Sequence, residues 1–412
     1  MSQGPPISQN PIRVLILARV LDVGGIERDV SKFARRFSRY GVEPHVACFN
    51  PGGARWQEIK NAGLPLLTVP VRSFKSKSAF DGARILRRYL AENRIDIVHA
   101  FDVPADIFGV PIARLSRIPV LSSQLCYRGL CSIGARVLML VIDRLATGVF
   151  VNCEAIANHL EADWMVERNH IYVCHNGFEP EEFNPDSRKR LPELEGASVV
   201  IGTVALLRPE KNLGLLIDAF EKLSRFDPKA RLLIVGSGPM EESLKSQAAN
   251  HGISQACVFR EAVDKPANIM RSMDIFVLPS KSEAFSNSLL EAMACGCCPV
   301  ASRIGGTPEM VSDGESGRLF DSGDTEKLAE ILINLSKSPR DMKRMAETAS
   351  SFVHAHFTID QATRRLANIY KKLLYRNGLE KEEAQPKQAG SSVMPEERVK
   401  TRADEIIASN RS

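Results

Sequence analysis

RVLILARVLDVGGIERD, residues 13–29, sets an unbroken apolar run against a Gly-Gly turn and a charged segment. RVLILARV (13–20) reads as a strand buried on both faces, and a helix is predicted from about Gly25 to Tyr40. Adjacent glycines let backbone approach a ligand closely, and a helix start favours an anion. Tight turns use Gly-Gly too, so the pair alone names no ligand.

The same unit repeats outward. PHVACF (44–49), DIVHAF (96–101), VLSSQL (120–125), GVFVNC (148–153) and IYVCHNG (171–177) read as further short strands between helical patterns. The alternation breaks over 181–198, a polar stretch with prolines and no periodicity that suits a linker. It then restarts with VVIGTVA (199–205), RLLIVG (231–236), ACVF (256–259), DIFVLP (274–279) and PVAS (299–302). This predicts two α/β halves in tandem, each a parallel sheet covered by helices, with ligand faces at the C-terminal strand ends. Opposed, the two faces make a cleft. The expected divisions are a disordered lead over 1–11, a first domain over 12–180, the linker, and a second domain over 199–356. A helix over 357–379 is expected to return to the first domain, followed by a polar, disordered tail over 380–412.

Composition narrows the classes. At 412 residues, 44% hydrophobic and 25% charged, the chain has the balance of a soluble protein of more than one domain. Its N-terminus lacks the features of a secretory signal, and no apolar run reaches membrane-spanning length. Nine cysteines without a framework fit a reducing cytoplasm, and CGCC (295–298) reads as buried packing rather than a metal site. Residues 12–180 hold 22 Lys and Arg against 16 Asp and Glu, so the net +5 resides in the first half. That excess fits a solvated basic face, or attraction to an anionic substrate or membrane surface. No basic run is interleaved with stacking aromatics, which argues against nucleic acid.

Two stretches carry candidate chemistry. In SEAFSNSLLEAMACG (282–296), Ser286 or Asn287 reads as the N-cap of a helix whose first amides attract phosphate. Glu283 precedes that helix and Glu291 lies one turn into it. A carboxylate matches a vicinal diol, so a nucleotide diphosphate would place ribose near Glu291 and a sugar hydroxyl near Glu283. The bland alternative is a loop glutamate and a helix-surface glutamate, both solvated. LRPEKN (207–212) follows a strand and puts Arg208 and Lys211 at the same edge, where two cations would neutralise a diphosphate leaving group. VGSGP (235–239) has Glu241 in place of a third glycine, which removes most support for a nicotinamide cofactor. Glu309 and the His354/His356 pair read as structural.

Taken together, these motifs resemble the retaining glycosyltransferases of family 4, with the GT-B architecture of two Rossmann-like domains facing each other across a cleft. The resemblance runs from Val14 to about Leu374. It rests on the E-x7-E element Glu283–Glu291, with GGIE, HNGFEPEEF, LRPEKN, IVGSGP, FVLPS, PVAS, GGTPE and DGESGRLF in order. It implies a hexosyltransferase moving a sugar from a nucleotide-diphosphate sugar to a sugar or lipid-linked acceptor, as in polysaccharide or glycolipid assembly. Glu283, Arg208 and Lys211 would be catalytic. Glu291, the 286–289 segment (Ser286, Asn287, Ser288, Leu289), Gly24 and Gly25 would hold the donor, and His99 and Asp102 are candidate sugar or acceptor contacts. Neither metal nor cofactor is expected, and no Asp-x-Asp occurs. The implied location is cytoplasmic, with a candidate peripheral contact at the inner membrane face. Leu206, Phe101 and Ala284 depart from the family pattern of Arg, His and Gly. A nucleotide-sugar 2-epimerase and a non-catalytic GT-B partner subunit are the competing readings.

Overall fold

A computed structural model describes residues 10–376 except Val23, Ser187 and Arg188. Residues 1–9 of the lead expected over 1–11, the end of the expected helix over 377–379 and the whole tail expected over 380–412 lie outside the described residues. The first parallel sheet contains β1 (Ile12–Val20), β2 (Val42–Asn50), β3 (Leu66–Thr68), β4 (Ile97–Ala100), β5 (Val120–Gln124), β6 (Gly148–Val151) and β7 (Ile171–Val173). Its order is β3-β2-β1-β4-β5-β6-β7. The second contains β8 (Val200–Val204), β9 (Arg231–Val235), β10 (Cys257–Arg260), β11 (Ile275–Leu278), β12 (Cys298–Ser302) and β13 (Arg318–Phe320), ordered β10-β9-β8-β11-β12-β13.

Around the first sheet lie α1 (Gly25–Ala34), α2 (Ala54–Asn61), α3 (Lys77–Glu92), α4 (Val103–Leu115), α5 (Ile133–Leu145) and α6 (Glu154–Trp164). The second carries α7 (Leu213–Phe226), α8 (Glu241–Asn250), α9 (Ala267–Met270), α10 (Asn287–Ala294), α11 (Thr307–Met310), α12 (Thr325–Lys337) and α13 (Pro339–His356). The helix predicted over 25–40 ends at Ala34. A separate 3-10 turn, Phe37–Tyr40, follows and closes on Gly41 at φ 75°.

The apolar runs become strands because both faces of each sheet are covered, leaving no position along them for water. Val14, Leu15, Ile16 and Leu17 are all fully buried. Leu15 and Leu17 share a core with α3, α4 and α5, whereas Val14 and Ile16 pack with α1 and with α14 (Ile359–Arg376). Thus the last described helix closes the first sheet, with Leu366, Tyr370 and Leu373 buried in that core. A third core crosses the cleft, joining Val149, Ile156 and Leu160 to Phe276, Leu289 and Phe357. It is this apolar contact that brings the two sheets face to face.

Strand order reverses between β1 and β4, and again between β8 and β11. At such a switch point the outgoing loops run to opposite sides and open a crevice. The loops there carry Gly24 and Gly25, Phe101 and Asp102, the 206–212 segment, and the 279–286 segment. Sheet topology alone therefore gathers the regions that the motifs single out.

Tyr370 Oη lies 2.8 Å from His99 Nδ1, and the ring's other nitrogen meets Ser123 Oγ at 3.0 Å. Tyr370→Phe would leave a buried imidazole nitrogen unpaired, at a cost of about 1–3 kcal/mol. A lower thermal midpoint with unchanged secondary structure is the expected result.

Candidate active site

Main-chain contacts shape the second-domain side of the cleft. Leu207 N donates to Ser237 O (3.1 Å), Met240 N to Leu207 O (3.0 Å), and Lys281 N to Glu210 O (2.8 Å). The loop bearing Arg208 and Lys211 is thereby tied to both the 235–239 and 279–286 loops. A β-carbon on Gly236 would stand 1.8 Å from Ala205 O, so the VGSGP glycines make room for this loop. Gly305 does the same for Glu283: its φ is +50°, and a β-carbon there would sit 1.9 Å from Glu283 O.

Lys211 Nζ contacts Glu283 Oε1 at 2.5 Å, and Ser280 Oγ donates to the same oxygen at 3.0 Å. Arg208 is far more open. Its side chain is 57% exposed, and among the described residues its ion-pair partner is Glu210 at 4.0 Å. Beside this pair, α10 begins at Ser286, whose Oγ accepts from Leu289 N at 3.3 Å. The Leu289 amide, one of those expected to face the donor, is thereby engaged by the cap. The remaining first-turn amides, those of Asn287 and Ser288, are the ones a helix leaves without intrahelical partners.

The first domain reaches α10 from the other side. Gly25 lies against Asn287, whose Nδ2 would be 3.9 Å from a β-carbon on the glycine. Asn287 Nδ2 donates to both Asp29 oxygens, at 3.1 and 2.9 Å, while its Oδ1 accepts from Asn176 Nδ2 at 2.9 Å. One turn further, Glu291 is only 1% exposed. It pairs with Lys32 Nζ at 3.2 Å and Arg28 Nη2 at 2.9 Å, Lys32 itself being 2% exposed. The solvated alternative for Glu291 is therefore excluded, because helix α1 of the other domain covers it.

His99 and Asp102, the candidate sugar or acceptor contacts, are both engaged by partners within the protein. His99 is wholly enclosed between β4 and α14, both nitrogens are used inside the core, and burial pushes its pKa down to about 3. Phe101 stacks on it inside the same core, with centroids 4.2 Å apart. Asp102 caps α4, accepting from Ala105 N at 2.9 Å and from Arg19 N at 2.6 Å, so both oxygens serve the backbone. Nearer the cleft, burial raises the Glu27 carboxyl, assisted by the charges of Asp102 and Asp22.

Arg28 and Lys32 escaped the motif reading as partners of Glu291, and two carboxylates within the motifs act at the domain contact. Glu309 accepts from Glu154 N and Ala155 N, each at 3.0 Å, and contacts His175 Nε2 at 2.7 Å, so it caps α6 across the cleft. Glu179 pairs with Arg36 at 2.9 Å and Arg35 at 3.3 Å. Its signal was present in HNGFEPEEF, read there as a motif rather than as a counter-ion. Arg28 and Lys32 also line a cavity of about 340 Å³ between the domains, with Arg55 on one wall and Asp264 and Lys265 on the other. The last two directly follow the 260–263 loop after β10.

Two consequences can be measured. Glu291→Ala strands Lys32 in a buried site, and breaking such a pair costs about 3–5 kcal/mol. The paired change Lys32→Met with Glu291→Met should recover most of the thermal midpoint that Glu291→Ala loses. Burial also raises the Asp29 pKa to about 6 from an ordinary 3.8. The folded state thus keeps this proton where the unfolded chain releases it, and Asp29 weakens the fold as pH rises through that window. His99, depressed in the fold, acts with the opposite sign. Asp29→Asn should therefore lose about 1 kcal/mol more than wild type between pH 7 and pH 5, read from unfolding midpoints at both values.

The chain was compared with known proteins. A family model described as Glycosyl transferases group 1 matches residues 186–352, and one described as Glycosyltransferase Family 4 matches residues 23–182. The D-inositol 3-phosphate glycosyltransferase of Mycolicibacterium smegmatis is 33% identical over 53% of this chain and 52% of its own. The amylovoran biosynthesis glycosyltransferase AmsK of Erwinia amylovora is 34% identical over 49% of this chain and 51% of its own. The chain thus spans about half the length of these curated relatives. Among solved structures, Anabaena Alr3699/HepE in complex with UDP superposes with a TM-score of 0.76 at 19% identity, covering 88% of this chain and all of that one, which speaks to the fold alone. A family model on each half and the same pair of opposed parallel sheets beneath them place this chain in the group 1, family 4 glycosyltransferases of the GT-B fold.

Proposed function

We propose that this chain transfers a hexose from a nucleotide-diphosphate sugar to an acceptor hydroxyl with retention at the anomeric carbon. The carrying observation is the convergence of the Lys211–Glu283 pair, the open amides of Asn287 and Ser288, and the Gly24-Gly25 turn on one crevice. The solved Anabaena neighbour holds UDP, which supports a nucleotide as ligand. The Erwinia relative's role in amylovoran biosynthesis supports a growing polysaccharide or glycolipid as acceptor.

In this reading the diphosphate lies over the start of α10. Lys211 and the exposed Arg208 meet its charge, so these side chains and the helix end supply what a metal would otherwise supply. Ribose exchanges hydroxyl hydrogen bonds with Glu291, and Glu283 faces the transferred sugar. The bond from the anomeric carbon to the phosphate oxygen breaks, and the acceptor oxygen bonds to that carbon from the same face. The acceptor proton passes to the departing phosphate. Because the leaving charge grows as the bond breaks, Lys211 and the amides stabilise the transition state more than the bound donor. The acceptor lies on the first-domain side. A lipid-linked acceptor would keep the protein at the inner face of the membrane, and among the described residues no helix is long and apolar enough to cross it.

The test is a thermal-shift panel with UDP, GDP, ADP and dTDP on wild type, Lys211→Ala and Glu291→Gln, the last chosen to keep a hydrogen-bonding group at the buried site. At about 100 times its dissociation constant a nucleotide stabilises the fold by roughly 2.7 kcal/mol. One nucleotide should shift wild type and shift both variants less. The anomer released on slow hydrolysis of the matching nucleotide-sugar, followed by NMR, then reports retention. No shift with any nucleotide, or release of the inverted anomer, would overturn the reading, and epimerised donor formed without acceptor would favour the isomerase.

A further inference from the structure

Helix α5 places its apolar residues on the wrong side for a soluble helix. Met139 and Ile142 point into the core, but Ile133, Val137 and Val141, spaced four apart, are 76%, 60% and 51% exposed. Leu138 and Leu145 widen the stripe. Its single acidic residue, Asp143, is turned inward onto Arg128, so the charges at its outer surface are Arg136 and Arg144. Beside it the end of α4 exposes Leu115 between Arg114 and Arg117, and the next helix, α3, exposes Phe80 with Arg84, Arg87 and Arg88. These three helices share one core and cover the same face of the first sheet. A cavity of about 290 Å³ opens at the edge of α5, lined by Leu140, Arg144, Trp164 and the exposed Met165.

We propose that this face is a membrane-docking surface, with the α5 stripe entering the interface of a bilayer rich in anionic lipid and the arginines of α3, α4 and α5 meeting its headgroups. The inference deepens the peripheral contact proposed above by naming the surface that makes it. Contiguous exposed apolar area marks an interaction site, and an apolar stripe rimmed by Arg and Lys is the pattern of an interfacial helix. Charge selects the occupant. Among the described residues, none of Arg84, Arg87, Arg88, Arg114, Arg117, Arg136 or Arg144 forms an ion pair. A second copy of the chain would set this cationic rim against itself, whereas anionic lipid neutralises it. The location suits the reaction as well. Helix α5 starts after the C-terminal end of β5, the edge of the sheet that faces the cleft, so a bilayer against it would hold a lipid-linked hydroxyl beside the acceptor side.

Cosedimentation of the full chain with vesicles tests this, comparing phosphatidylcholine alone with phosphatidylcholine containing about 30 mol% phosphatidylglycerol. Wild type should bind only the anionic vesicles. Val137→Asp with Val141→Asp should weaken binding by about tenfold or more, leaving the thermal midpoint and the nucleotide shift unchanged. The milder pair Val137→Ser with Val141→Ser should fall between, and guards against a folding defect. Absence of anionic-vesicle binding, or wild-type binding by both paired variants, overturns the proposal. So does a wild-type dimer in solution that the aspartate variant converts to monomer, since a second copy would then own the face. A nucleotide shift that persists while vesicle binding fails removes the membrane surface and leaves the donor site standing.

Discussion

Glu291 sits at the centre of the domain contact, holding Lys32 and Arg28 of the opposite domain with almost no access to water. Burying these charges costs several kcal/mol each, and their attraction roughly repays it only because further hydrogen bonds complete the site. Lys32 reaches Gly177 O, and Asn176 and Asn287 complete the chain to Asp29. An apolar pair of similar volume would hold the domains as well, so stability alone does not account for the charges. They hold a closed arrangement in which α1 of one domain covers the Glu291 carboxylate of the other.

The geometry around that pair follows from topology and a few glycines. Reversal of strand order beside β1 and β8 delivers four loops to one crevice, and main-chain bonds tie the Lys211 loop to its neighbours while the Asp102 carboxylate holds the loop after β4. Gly236 and Gly305 are needed for close approach of backbone to backbone, one beneath the Lys211 loop and one beneath the Glu283 loop. Each sets where a charged side chain begins, and a displacement there would carry straight to the Lys211–Glu283 contact.

The strands were legible because a buried parallel strand leaves no position for polar residues, as Val14 to Leu17 show. The E-x7-E spacing was legible because a capped helix start has a local code. His99 was not, since an imidazole at a strand end looks alike whether the next layer is solvent or protein. That layer is α14, and Tyr370 lies 271 residues away in sequence. Glu291 posed the same problem: its face of α10 becomes interior only through Lys32, 259 residues earlier. In both cases the missing information was tertiary, and no local window contains it.

The charge excess of the first half, visible in composition, divides once the fold is known. Arg28, Lys32, Arg35 and Arg36 on and after α1 point to the cleft and are matched there by Glu291 and Glu179. The cations of α3, α4 and α5 point the other way, and among the described residues they have no counter-ion. One population organises the contact between domains and is paired there with carboxylates. The other leaves a net positive face, which also carries the exposed stripe of Ile133, Val137 and Val141. A face that is cationic and apolar together gains little from water and repels its own copy, so the physical demand it makes is for a surface that is anionic outside and apolar beneath.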